Sequence, residues 1–295
     1  MATTARSRKP SPCWMALAES YQRLPDQNLN VGQRVALTVE YDGAGFSGWQ
    51  AQRDVITVQQ TLESALSSVA DRPVRVHCAG RTDTGVHATN QVVHFDDPVG
   101  RSPKSWLMGT NANLPRTVAV RDARPVSAEF HARFSARSRR YRYLVYNSPT
   151  RPAIAAEHVT WVRQPLDEAL MDTAAQALIG ERDFSAFRAA SCQSSTPMRR
   201  VDFVRVYRRG VLVCVDIQAN AFLHHMVRNI VGTLIVVGRG LQPPAWAGQL
   251  LDGGDRTVAA DTAAPNGLYL VAVEYPPDAG LASLPLGPVF LPPDQ

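Results

Sequence analysis

Gly80-Arg81-Thr82-Asp83-Thr84-Gly85 places one carboxylate, with an arginine two residues before it, in a turn bracketed by glycines. Glycine permits backbone angles that other residues resist, so such a turn can hold an acid on a rigid support. The local pattern leaves two roles open: a turn acid accepting backbone hydrogen bonds, or a carboxylate that attacks or takes a proton. Asp83-Thr84-Gly85 also spells the DTG of aspartic proteases, which need two carboxylates sharing one proton. The chain has no second D[TS]G, and Arg81 and Thr82 stand where the strand before that motif is ordinarily apolar, so protease chemistry does not fit.

Other candidate groups narrow the chemistry. His77, His87 and His94 are close in sequence, but alternation sends His77 and Cys78 to opposite faces of a strand, and no spacing matches a metal site. His224 and His225 are adjacent on a predicted helix, where at most one can approach a cleft. GxxxxGK and HExxH are absent, so neither a phosphate-loop nucleotide nor a zinc ion of those types is expected. Arg228 leads into the apolar run IVGTLIVVG, and an arginine buried there needs a carboxylate partner. Residues 131–146, HARFSARSRRYRYLVY, hold Arg133, Arg137, Arg139, Arg140 and Arg142 and no acid, interleaved with Phe134, Tyr141, Tyr143 and Tyr146. On a strand, that pattern gives a face that neutralises phosphate and stacks a base; the alternative is an edge strand whose charges prevent aggregation. A lone carboxylate, a buried arginine and a basic aromatic strand together point to nucleic acid, with one base taken out of its stack.

The elements that must position these groups follow from periodicity. Arg34 to Tyr41 alternates at period two and runs into a glycine-rich loop ending at Trp49-Gln50. Thr57 is the expected N-cap of a helix that places Val58, Leu62, Leu66 and Val69 on one face. Alternating runs at 74–79 and 91–95 flank the Asp83 turn, giving strand, helix, strand, strand. Residues 97–124 read as a connecting stretch with a short helix at 105–108. Helices are expected at 167–179, 222–237 and 245–251, a polar loop at 182–200, a hairpin at 201–218, and a strand at 268–275. The two halves share an order of strand, helix and paired strands, which predicts a duplicated architecture with a cleft between them. The expected organisation is a disordered basic extension at 1–31, a catalytic half at 32–124, a second half at 125–280 carrying the basic strand and the Arg228 helix, and a Pro-rich arm at 281–295.

The whole chain sets the bounds. Its 295 residues, 45% hydrophobic, can bury a sizeable core, and its formal net charge is +5. Among the 31 basic side chains only Lys9 and Lys104 are lysines, and arginine is the better partner for phosphates and bases. Cys13, Cys78, Cys192 and Cys214 have no metal-binding or disulfide spacing, which points to reduced thiols in the cytoplasm. No apolar run approaches membrane-spanning length, so no membrane association is expected.

The quoted motifs extend into a family pattern. The chain resembles the TruA-type tRNA pseudouridine synthases over nearly all its length from about residue 34. The resemblance runs through YDG and F.GWQ at 41–50, GRTDxGVHA at 80–88, QVVHF at 91–95, NANLP at 111–115, FHARFSA at 130–136, RRYRY at 139–143, FLHHMVRNIVG at 222–232 and GLYLVAV at 267–273. It implies an α+β pseudouridine synthase fold of two related halves with antiparallel and mixed sheets flanking a basic cleft, in a homodimer. The implied reaction converts uridine to pseudouridine at positions 38 to 40 of the tRNA anticodon arm, with no cofactor and no metal. By the same resemblance, Asp83 is the catalytic aspartate, Tyr141 stacks on the target uracil, Arg81 helps extrude the base, Arg228 pairs with the aspartate, and Leu268 is an apolar wall. A carboxylate faced by an arginine stays ionised at neutral pH, as an attacking or proton-abstracting group must. The rival expectation is a non-catalytic basic RNA-binding protein or RNA chaperone using the same cleft.

Overall fold

Alternation along a strand divides its side chains between two faces, and the first strand shows what each face meets. In the computed structural model, which describes residues 24–291, β1 (Arg34–Tyr41) sends Val35, Leu37, Val39 and Tyr41 into the main core and Ala36 into a smaller cluster behind the sheet. Thr57 caps α1 (Val58–Ala70) by accepting the Gln60 N–H, and Leu62 and Leu66 are fully buried beneath it. The short β2 (His77–Cys78) and β3 (His87–Asp96) follow on either side of the Asp83 turn.

The predicted connecting stretch is structured. Ser102 caps α2 (Pro103–Asn113), proline occupies the first helical position, and β4 (Val118–Pro125) pairs along β1. The 97–124 expectation is corrected accordingly. Its signals were Ser102-Pro103 and the alternation of Val118 and Val120, and the surrounding prolines obscured them.

The second half contributes β5 (Ser138–Asn147), β6 (Thr160–Val162), α3 (Glu168–Ala175), β7 (Gly180–Asp183), β8 (Met198–Arg209), β9 (Leu212–Ala219), α4 (Met226–Gly238), α5 (Trp246–Gly253) and β10 (Leu268–Glu274). The ten strands form one mixed sheet in the order β4-β1-β3-β10-β5-β9-β8-β7, with β2 paired to β3 and β6 to β5. β10 lies parallel to β3 and antiparallel to β5, so the last strand of the chain joins the two halves. Side chains from all five helices meet one face of the sheet in a single core, giving an α+β architecture. The 182–200 segment is less irregular than predicted. Arg182 and Asp183 finish β7, and Ala186 and Phe187 are buried in a 3₁₀ turn.

β5 is internal, lying between β10 and β9, which excludes the edge-strand alternative for residues 138–146. Its arginines are correspondingly occupied. Arg140 and Arg142 both pair with Asp216, at 2.6 and 2.8 Å, and Arg139 donates to the carbonyls of Ala79, Arg133, Ala136 and Asn220. The expectation that this strand offers a free basic face to phosphate is therefore corrected. An internal strand has little water for guanidinium groups, so they bind protein acceptors.

The expected extension at 1–31 lies outside the described residues as far as 23; Leu24 is buried in the main core. The arm at 281–291 crosses the back of the sheet. Leu291 is buried with Leu144 and Val159, and Asn90 and Arg142 donate to the carbonyls of Pro285 and Gly287.

Candidate active site

The Asp83 turn is fixed by backbone packed directly on backbone. Trp49 N–H donates to Thr82 O at 3.0 Å, Val86 N–H to Asp83 O at 3.1 Å, and Tyr41 Oη lies 2.8 Å from the buried Thr82 hydroxyl. The loop after β1 approaches so closely that side chains would collide. A Cβ on Gly43 would fall 2.0 Å from Val86 O, and one on Gly48, whose φ is +82°, would fall 2.9 Å from Thr82 O. On the other flank the buried Gln91 amide holds Gly80 from both sides, donating to its carbonyl at 2.5 Å and accepting its N–H at 3.3 Å. Neighbours on both sides therefore fix the turn that carries Asp83.

What faces Asp83 comes from the other end of the sequence. Arg228, on the first turn of α4, places Nη1 3.4 Å from Asp83 Oδ2, while its Nε donates to Ala263 O at 2.8 Å. His224 Nε2 stands 3.4 Å from Asp83 Oδ1, and His225 Nε2 stands 3.4 Å from Oδ2. Both histidines therefore reach the carboxylate, and the expectation that only one could is overturned. The helix starts at Met226, four residues later than predicted at Phe222, so helical spacing does not govern the pair. His225 has φ +60°, which bends the chain and leaves the two rings 4.0 Å apart on one side. Left-handed backbone at a histidine has no signature in the sequence. His224 Nδ1 also meets the Ser191 hydroxyl at 3.1 Å. Burial lowers the pKa of His225, opposed by Asp83 and reinforced by His224, Arg228 and Arg256.

These groups line a cleft of about 1430 Å³ that also contains Arg81, Tyr141 and Leu268. Tyr141 is buried on β5, its ring edge-on to Phe222 at 5.0 Å. Burial pushes its phenol well above the ordinary tyrosine value, so the hydroxyl stays protonated at neutral pH. Leu268 is buried at the start of β10, and Arg81 is exposed at the mouth. All five candidate residues thus border one space.

Six arginines line the cleft against two acids, Glu63 and Asp83. Such a space attracts a polyanion and sets the Asp83 carboxylate in its path. Among the described residues, two trios of side chains have the donor spacing of a metal site: Asp83 with His224 and His225, and Asp42 with His87 and His158. In the first, the Arg228 guanidinium already stands at the carboxylate oxygen an ion would use. In the second, His87 Nδ1 is occupied by the Gly43 N–H at 3.0 Å. The three other histidines form a separate group, with His77 stacked on His94 at 5.1 Å and His131 at 4.6 Å from His94.

A family model described as tRNA pseudouridine synthase matches residues 37–135 and 174–276. Similar proteins include the tRNA pseudouridine synthase A of Idiomarina loihiensis, 60% identical over 258 residues that cover 88% of this chain and 99% of the relative. The protein of the same name from Photobacterium profundum is 57% identical over 259 residues, covering 88% and 99%. That of Klebsiella pneumoniae is 55% identical over 258 residues, covering 88% and 96%.

Proposed function

The chain belongs to the tRNA pseudouridine synthase family, and we propose that it isomerises uridine to pseudouridine at positions 38, 39 and 40 of the tRNA anticodon stem-loop, with Asp83 as the catalytic nucleophile. The observation that carries this reading is the meeting of Asp83 and Arg228, 145 residues apart, in a cleft where arginines outnumber acids. A protein that only binds RNA gains nothing from an acid set among phosphates. A pseudouridine synthase needs one.

The reaction is balanced within one nucleotide. The C1′–N1 bond breaks, the C1′–C5 bond forms, C5 loses a proton and N1 gains one, so nothing is oxidised and no group is transferred to an acceptor. Asp83 supplies the carboxylate that attacks the nucleotide or removes its proton, and Arg228, with Nη1 3.4 Å from Oδ2, holds it aimed. Tyr141 is the flat surface on which the uracil stacks, which suits a protonated phenol; Leu268 is the apolar wall beside it. Arg81, at the mouth, helps extrude the base. Unstacking a base from a stem costs a few kcal/mol, which stacking on Tyr141 and arginine contacts to phosphate offset. On the same reading the enzyme is a cytoplasmic homodimer. Among the described residues Cys78, Cys192 and Cys214 are not joined in a disulfide, as suits a reducing compartment, and no helix is long and apolar enough to cross a membrane.

Asp83→Ala tests the reading on an anticodon-arm RNA. Pseudouridine formation, followed by nucleoside analysis, should fall by more than about a thousandfold while Kd for the RNA stays within about threefold. Retained turnover would sink the assignment of Asp83, and lost binding would favour a non-catalytic RNA-binding protein.

A further inference from the structure

Phe134 lies in the basic aromatic stretch but not on its strand. β5 begins at Ser138, and Phe134 sits in the loop before it, the residue 75% exposed. The loop beneath is rigidly held. His131 Nδ1 accepts the N–H groups of both Arg133 and Phe134, at 3.1 and 3.3 Å, and His131 N–H donates to Ser135 Oγ at 2.9 Å. The buried Arg139 donates to Arg133 O at 2.6 Å, and Ala132, fully buried, accepts from Tyr275 Oη at 2.6 Å. One side of the Phe134 ring is backed by the His131 imidazole, 4.4 Å away and tilted by 33°. The Arg133 guanidinium stands 5.6 Å from the ring centre. Exposing a large apolar ring on a fixed loop costs free energy that a floppy surface side chain could partly recover by folding down.

We propose that Phe134, backed by His131 and flanked by Arg133, is a stacking platform for an unpaired nucleobase of the RNA other than the uridine isomerised at Asp83. The inference rests on the tRNA reading above. Phe134 and Asp83 line the same cleft, whose charge suits a phosphate backbone. A flat aromatic beside an arginine is what a single-stranded base recognises, because every base offers a π-face. The target positions border the unpaired anticodon loop, which supplies such bases. Tyr141, buried in the cleft, cannot serve both nucleotides.

The test compares wild type with Phe134→Ala, Phe134→Leu and Phe134→Trp on an anticodon-arm hairpin, measuring Kd by filter binding and kcat and KM by nucleoside analysis. Phe134→Ala and Phe134→Leu should raise Kd and KM about tenfold with kcat within about twofold, and Phe134→Trp should restore wild-type values. Replacing loop nucleotides one at a time by abasic sites should weaken wild-type binding at one position and leave Phe134→Ala unaffected at that position. An unchanged Kd in Phe134→Ala, or wild-type behaviour of Phe134→Leu, overturns the proposal. So does a change of mass by light scattering in Phe134→Ala, which would place the ring at a subunit interface. Because Kd is read without turnover, a wild-type enzyme that binds the hairpin but makes no pseudouridine would overturn the reading of the preceding subsection and leave this one standing.

Discussion

Two clusters of identical composition, Asp83–His224–His225 and Asp42–His87–His158, draw one member each from the turn that joins β2 to β3 and from the first residue of β3. Exposure does not separate them, since the Asp83 side chain is 26% exposed and that of Asp42 is 33%. Hydrogen bonding does. Asp42 Oδ2 lies 3.1 Å from His158 Nε2, and its Oδ1 accepts the Ala44 N–H. His87 is stacked between Tyr269 and His158, takes the Gly43 N–H on Nδ1, and directs Nε2 at the carbonyls of Glu157 and Asn266. The polar atoms of that cluster are committed to holding loops together. Around Asp83 the three cationic or cation-capable groups each stop at 3.4 Å, longer than an ordinary charge-assisted hydrogen bond. The same two residue types are structural where their lone pairs are used and reactive where they are left over.

Removing the one group that has no counterpart at Asp42 should break the comparison hardest. Arg228→Met keeps the volume of the side chain and deletes the guanidinium facing Asp83. We expect kcat to fall about a hundredfold or more, on the order of 3 kcal/mol in the barrier, with RNA affinity reduced far less. Single-turnover rates on the hairpin, measured beside binding, would show it. A normal kcat would mean that the two histidines alone keep Asp83 competent, and that Arg228 serves only to hold Ala263.

The reciprocal change is at Asp42. Asp42→Asn removes charge from the committed cluster and leaves the Asp83 side untouched. Stability in urea should drop by about 1 kcal/mol, since the part-buried His158 contact and the Ala44 N–H lose a charged acceptor, while kcat stays within about threefold. A large loss of kcat with unchanged stability would show that the two clusters communicate through the turn between them.

How far this contrast was visible beforehand depends on range along the chain. Period-two alternation located β1 and β10 to within a residue, and Thr57 marked the start of α1, because those signals are local. The Arg208–Gly210 turn likewise announced the β8–β9 hairpin. The parallel pairing of β3 with β10 was not legible, because it joins residues 87–88 to 269–270 and no local pattern encodes a partner. At the site, Asp83 stood out through its glycines and Arg228 through its apolar surroundings. Helical spacing mispredicts the paired histidines because His225, with positive φ, lies before the helix begins. The arginines of β5 were misjudged for a different reason: their partner Asp216 lies on a strand that only the fold brings alongside.

The smallest expected effect is on pH dependence, and it separates the clusters by which property responds. Burial depresses the pKa of His87 below its usual 6.5, with Asp42 opposing the shift. Unfolded chain therefore takes up a proton near pH 6.5 that folded protein declines, so stability is constant above about 6.5 and falls as pH drops below it. Asp42→Asn removes the opposing carboxylate, deepens the depression and should steepen that fall, leaving the pH profile of kcat unchanged. His225 is depressed in the same direction, chiefly by burial, and its protonation adds stability loss over the same range. Its second consequence is chemical. An imidazolium at His225 places a further cation on Asp83 Oδ2 beside Arg228, with His224 and Arg256 nearby, and ties up the carboxylate that must react. Activity should therefore fall about severalfold as pH drops below 6.5, and His225→Gln should flatten that limb without altering the neutral-pH rate by more than about threefold. An acid limb that survives in His225→Gln would belong to another group, and the reactive cluster would then share the purely structural role of its twin at His225.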